Sequence, residues 1–506
     1  MAPIHRQIGA VLLLCMVSAH AATTVVKPGE TFNLEQDLVL KNDDVLEING
    51  AHDKRCTVAG NYRNIRTEGN WTGRIKVTYC DFKALGGPPK IVNDQLTPEF
   101  RALDLRVAGK GVIEIYHSVF DGCGSIGIET VDESHANFSR NTIRENCLAP
   151  INAAPHLSRP MFVAKGVSAH RKHFVGNTIL RSWVQFDGSN WMIGGDQDGE
   201  SNIIVGPRAG LFITAGQCHA RGNYIHALLP EARQFNNVTY WSQVPVLSLA
   251  AYSTAEQNVL RGGHWSARNV EGEMKFNLLL EPEGHEWIQM PSAGKIHHNI
   301  FWASGTLLSG VEVLPERGDG AEIFNNVFDG RGQAFPAIAA VDGGIIKSLR
   351  NNVFMNFARG PLVRTGWNEP ATVPGPARLG FADCNLFFNP KLEAGARDNY
   401  LLTVAGKNER KDDGFAKGDV PKGGAIDEQA DPKFKAPVEK FPFALNDIKE
   451  RKVGVSQILE FFRNAYTPAD GSPLIDAGLP ADGTDIGAVE AGKVPPSGPG
   501  LTATRK

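Results

Sequence analysis

The chain has 506 residues, 42% of them hydrophobic and 21% charged, with 54 Gly and a formal net charge of −3. So mild an acidic balance leaves no basic field for duplex nucleic acid. The length exceeds that of one compact domain, although a solenoid escapes this limit because each repeat touches only its neighbours.

In chain order, His5 and Arg6 open a short polar start, and residues 8–17 are mostly apolar but too few to span a bilayer. Ala19-His20-Ala21 fits a small-x-small cleavage pattern. Residues 1–21 are therefore predicted to be a cleaved signal peptide, placing the mature chain outside the cell or in the periplasm. No later stretch is apolar enough to predict a membrane span. Residues 25–48 alternate as N-terminal capping strands would. Cys56 and Cys80 are 24 apart, as are Cys123 and Cys147. Each pair fits adjacent repeats, either bridged or as stacked core thiols. No CxxC pair occurs, which argues against a Cys-based zinc site.

From Asn141 onward a short unit, Asn-x-apolar, recurs ten times, at Asn141, Asn177, Asn202, Asn223, Asn258, Asn277, Asn299, Asn326, Asn352 and Asn385. Ser118-Val-Phe120 and Asp81-Phe82 are degenerate earlier versions. Successive spacings are mostly 19 to 27, with longer ones of 36, 35 and 33. Three places before Asn the residue is apolar or small, and two and four places before it the residue is mostly polar. That period of two marks a strand with one buried face. Asn tolerates left-handed backbone, so the bend is expected at Asn itself. Its amide both donates and accepts, so stacked copies can satisfy one another inside the fold. The expected fold class is all-β: a right-handed parallel β-helix of roughly 10–13 coils, with an Asn ladder, capped ends and long loop insertions. A leucine-rich repeat would need strict Leu spacing, and a propeller a longer period with Trp-Asp; neither is present.

On these motifs the chain resembles the pectin-lyase-like superfamily over residues 23–490. The ending Ser472-Pro-Leu-Ile-Asp-Ala-Gly478, followed by Asp485-Ile-Gly-Ala-Val-Glu490, is similar to the last coil of secreted members. The resemblance implies the fold, but the superfamily holds lyases, hydrolases, epimerases and adhesins. The Lys-Ser and Arg-His-Gly units of its alginate and chondroitin lyases are replaced by Arg268-Asn269 and Met290-Pro291. The polygalacturonase motifs are also missing.

Insertions fall at 148–160, 228–243 and 359–377, the last with Trp367. Residues 406–443 form a predicted surface excursion. Residues 453–466 are a predicted helix, with Ile458, Leu459, Phe461 and Phe462 near one face, either plugging the end or lying along the side. Residues 491–506 are a predicted disordered tail of a single domain over 22–490.

Counting back from Asn places His219 and Arg221, Thr254 and Glu256, Glu273 and Lys275, and Lys295 and His297 in one outward row. The same count adds Asp198 and Glu200. Asp196, Asp198 and Glu200 form a candidate Ca²⁺ site of hard oxygen ligands. Trp265 and Trp287 fall at equal distance before their Asn and are expected to stack, as are His264 and Glu286. Two mechanisms suit this region. For β-elimination on a uronate, Arg268 or Ca²⁺ would neutralise the carboxylate, with Lys275, His264 or His285 as base. For hydrolysis, Glu271, Glu273 and Glu286 are the candidate carboxylates. Trp265, Trp287, Asn269, Gln289, Tyr240 and Trp241 are the candidate sugar contacts. The expectation is an exported polysaccharide lyase. The alternatives are a glycoside hydrolase, or a non-catalytic carbohydrate-binding or surface-structural β-helix.

Overall fold

The computed structural model describes residues 21–87, 91–92, 95–96, 101–144, 160–180, 183–228, 233–235, 238–240, 245–282, 286–303, 311–314, 318–332, 337–341, 344–357, 362–366, 378–388, 411–413, 430–479 and 485–491. Residues 1–20, Cys147, Glu283, His285, Trp241, Trp367 and the residues beyond 491 lie outside them, as do the side chains of Tyr240 and Glu286.

Three long sheets of 14 strands each run the length of the molecule. Each turn of chain adds one strand to every sheet. Sheet 1 runs from Thr23–Val26 to Arg378–Asp383, sheet 2 from Thr31–Asn33 to Leu386–Phe388, and sheet 3 from Leu38–Lys41 to Lys411–Asp413. All ladders within them are parallel except the last of sheet 3, where Lys411–Asp413 pairs antiparallel with Leu362–Gly366. The fold is thus a right-handed parallel β-helix of thirteen full coils, with a fourteenth closed by a reversed strand. At the usual strand spacing the rod is roughly 60 Å long. Residues 25–48 do not form a separate cap: Thr23–Val26 pairs parallel with Val45–Asn49, so they are the first coil and the start of the second.

The Asn ladder is complete. Asn177, Asn202, Asn223, Asn258, Asn277, Asn299, Asn326 and Asn352 each donate Nδ2 to Oδ1 of the next Asn at 2.8–3.1 Å. Each also donates Nδ2 to a main-chain carbonyl of the coil before, as Asn277 does to Ala255 at 2.9 Å. The ladder extends towards the N-terminus: Ser118 N–H donates to Asn141 Oδ1, and Cys80 N–H donates to Ser118 Oγ. Cys56 and Cys80 are register partners and carry free thiols, so they stack unbridged.

The bend is one residue earlier than expected. Positive φ belongs to the residue before nine of the ten ladder Asn, namely Arg140, Gly176, Gly222, Gln257, Phe276, His298, Asn325, Asn351 and Cys384, while Ser201 before Asn202 has φ −61. The reason is phase. The residue three before Asn faces inward, so simple alternation would turn Asn outward. One left-handed residue inverts the phase and brings the amide into the core. The apolar residues two after Asn then stack down the axis; Phe301, Phe328, Phe354 and Phe387 lie 4.4–5.1 Å apart, ring to ring.

A second core covers the outer face of sheet 2. Ile203, Tyr224, Val259, Leu278, Ile300, Val327, Val353 and Leu386 point out of the coil, and the segment from Ala430 onward packs on them. Its helix, Val455–Ala465, buries Val455, Ile458, Leu459 and Phe462. It therefore lies along the side of the rod instead of plugging its end. Phe461 is 40% exposed and is not part of the packed face. Trp302 Nε1 donates to Val438 O, and Tyr466 donates its hydroxyl to Asp329 at 2.6 Å, tying the segment down at two points.

Candidate functional site

Among the described residues, the covering segment packs on sheet 2 from coil 7 onward and leaves the outer faces of sheets 1 and 3 for a polymer. The long interruptions all border sheet 3. Those at 148–160 and 228–243 enter where sheet 2 passes to sheet 3, as does the chain between Lys83 and Leu103. The interruption at 359–377 straddles the sheet 3 strand Leu362–Gly366.

The outward row of sheet 3 reads Asp104, Gly127, Val163, Gln185, Phe212, Ser248, Arg268 and Gln289 on successive strands. Eight strands give a track of about 34 Å. Trp183 lies against Phe212, with ring centroids 5.8 Å apart. Gln185 donates to Asp187 at 2.8 Å, and the Thr214 hydroxyl donates to the same carboxylate.

Further along the track, Arg268 Nε donates to Gln289 Oε1 at 2.8 Å, and its guanidinium sits 4.5 Å from the centre of the Trp265 ring. The His264 ring meets Trp265 edge-on at 4.3 Å. A bulge helps to present this group: Asn269 has φ 52, and the register shifts between Ser248 and Leu249. Arg268 is half-buried, Asn269 is exposed, and Val270 returns to the core.

The expected stack of Trp265 on Trp287 is not what forms. Trp265 pairs with Glu286, and Trp287 is fully buried against Phe301, Phe328 and Phe357. The link from sheet 3 to sheet 1 is one residue longer in the later coil, so a count made backwards from Asn slips by one across that corner. The expected alignment of His264 with Glu286 fails for the same reason.

The other candidates lie elsewhere. Glu273 and Lys275 are on sheet 1, in the row expected: His219, Thr254, Glu273 and Lys295 align, and beside them Arg221, Glu256, Lys275 and His297. Glu273 accepts from Lys275 at 3.0 Å and contacts His297 Nε2 at 3.1 Å. Burial works to raise the Glu273 pKa, but the hydrogen bonds from His297 and Lys275 outweigh it and hold the carboxyl below its usual range. Burial pushes the imidazoles of His219 and His297 down, so both are neutral at neutral pH. Glu271 sits in the connector between the two sheets.

Asp198 and Glu200 do not join the sheet 1 row. Their coil puts Trp191–Gly194 in the sheet and makes a short 3-10 turn over Asp198–Glu200. The three acids of the candidate Ca²⁺ site do not converge. Asp196 pairs with Arg221 at 2.8 Å, Asp198 accepts from the backbone N–H and hydroxyl of Ser456, and Glu200 accepts from Gln197 N–H. Among the described residues no three His, Cys, Asp or Glu side chains are grouped to hold a metal, and no helix is long and apolar enough to cross a membrane.

No protein-family model matches the chain, and no curated protein matches it. Among solved structures it is similar to the crystal structure of the periplasmic alginate epimerase AlgG, with TM-score 0.35 and 11% identity, over 71% of this chain and 78% of that one. A singly substituted form of the same epimerase gives TM-score 0.35 and 13% identity over the same shares. So remote a likeness carries no argument about the reaction.

Proposed function

We propose that this protein is an exported enzyme that cleaves a uronic-acid-containing polysaccharide by β-elimination, with the outer face of sheet 3 as the track for the chain. The observation that carries the reading is the group of Arg268, Trp265 and His264 on sheet 3, the sheet whose strands adjoin the long insertions in the sequence. Trp265 is buried at 8% exposure and backs the Arg268 guanidinium, which it holds towards the outer face. Arg268, oriented by Gln289, pairs with the uronate carboxylate and lowers the cost of charge as the neighbouring carbon loses its proton. His264 takes that proton. The electron pair left behind forms the new C=C bond as the glycosidic C–O bond breaks, and the departing oxygen is protonated from the imidazolium.

The test is a panel of uronans incubated with the purified mature chain. Ultraviolet absorbance of unsaturated uronate is the expected result, and new reducing ends without it would replace elimination with hydrolysis. Arg268→Ala is expected to lower turnover about 100-fold with the circular dichroism unchanged. Full activity in that variant would remove the assignment.

A further inference from the structure

A cleft of about 200 Å³ opens on the same sheet, several coils nearer the N-terminus, lined by Thr67, Arg101, Asp104, Arg106, Glu129, Val163 and Lys165 among others. Its residues come from four separate stretches of chain that the register brings together: Asp104 beside Gly127 and Val163, and Arg106 beside Glu129 and Lys165. Gly127 lies beside Asp104 in the strand next to it. A Cβ there would meet the Arg101 guanidinium, the far end of a flexible side chain that would have to move aside.

The charges are mixed and unequal. Arg101 pairs with Asp104 at 2.6 Å, and Arg106 with Glu129 at 3.5 Å. Arg106 is also fixed through its backbone, whose N–H donates to Thr67 Oγ1 while Thr67 donates back to its carbonyl. Lys165 is exposed and has no carboxylate within ion-pairing distance among the described residues. Three cations thus face two carboxylates, and each guanidinium keeps N–H groups beyond those spent on its partner. A dianionic phosphate would meet Asp104 and Glu129 unfavourably. A sugar carrying one carboxylate suits the set better: Lys165 and the spare guanidinium N–H groups take the carboxylate, Asp104 and Glu129 accept from ring hydroxyls, and Val163 meets the apolar ring face.

We infer that this cleft is a distal subsite for one uronate residue of the polymer, holding the chain roughly 25 Å from Arg268. The inference rests on the reading of sheet 3 as the glycan track and adds where along it the polymer is gripped. Titration calorimetry with a uronate trisaccharide, and a neutral glucose trisaccharide as control, tests it on the wild type, Lys165→Ala, Gly127→Ala and Arg268→Ala.

The expected result is uronate binding weakened about tenfold in Lys165→Ala, equivalent to ~1.4 kcal/mol, weakened again in Gly127→Ala, and no binding of the neutral sugar. Equal affinity in the wild type and Lys165→Ala, or equal affinity for both sugars, would overturn the subsite. The two readings fail separately. Loss of cleavage in Arg268→Ala with the cleft variants unimpaired in binding leaves the track standing without this subsite. Weakened binding in Lys165→Ala by a protein inactive on every uronan keeps the subsite and removes the lyase.

Discussion

Lys172 offers the sharpest test of the interior. It faces inward from the sheet 1 strand Lys172–Val175, is 0% exposed, pairs in register with Trp191, and its Nζ has no hydrogen-bond partner. The centre of the Trp191 ring lies 5.9 Å from it. Burial pushes its pKa down from 10.5 to about 8, a difference worth roughly 3 kcal/mol. The sign follows from proton counting. Below pH 8 the amine is charged in both states, and the folded state bears the whole penalty. Between pH 8 and 10.5 the unfolded chain binds more protons, so stability rises with pH until the penalty is gone. Lys172→Met keeps the length of the side chain and removes the charge. It is expected to stabilise the protein by about 3 kcal/mol at pH 7, with the advantage shrinking through pH 8–10.5. Urea titrations at pH 7 and pH 10, followed by Trp fluorescence, read both numbers. A variant less stable than wild type at pH 7, or a gap unchanged at pH 10, would refute the argument.

Asn277→Leu removes the side chain's bonds to Asn299 and Ala255 and strips an acceptor from Asn258. It should cost about 3–5 kcal/mol in the same titration, because buried polar groups are left unpaired. Tyr466→Phe deletes the buried bond to Asp329, whose carboxyl burial holds above its usual range. Limited proteolysis should then cut the C-terminal segment at lower urea, with a loss of about 1–3 kcal/mol. Glu273→Gln and Lys275→Ala lie on sheet 1, so turnover on a uronan should stay within about twofold of wild type, a surface change of under ~1 kcal/mol.

Much of the fold was legible because one geometric rule repeats. Ten Asn at coil spacing announce their own ladder, and the row His219, Thr254, Glu273, Lys295 follows by counting from them. The count holds only on the strand that leads directly into Asn. Across the corner to sheet 3 the coils differ in length, so equal counts from Asn do not bring Trp265 and Trp287 together and do not reveal Trp183 beside Phe212. Asp198 and Glu200 fell out of the row because a 3-10 turn intervenes between their sheet strand and Asn202. A further signal lies just after each ladder Asn. The residue after the ladder Asn is Thr at Thr142 and Thr178, then becomes apolar at Ile203, Tyr224, Val259 and beyond. That switch marks the coil from which the C-terminal segment covers sheet 2. The cleft at Arg101, Glu129 and Lys165 could not be read, because its members are separated by insertions of unequal length and no repeat aligns them.

A crystal structure of the protein with a uronate trisaccharide bears most directly on the claim that sheet 3 is the glycan track. The account predicts sugar density along that face, with a carboxylate against Arg268 and the sugar beside His264. Density on the sheet 1 face, over Glu273 and His297, would contradict it.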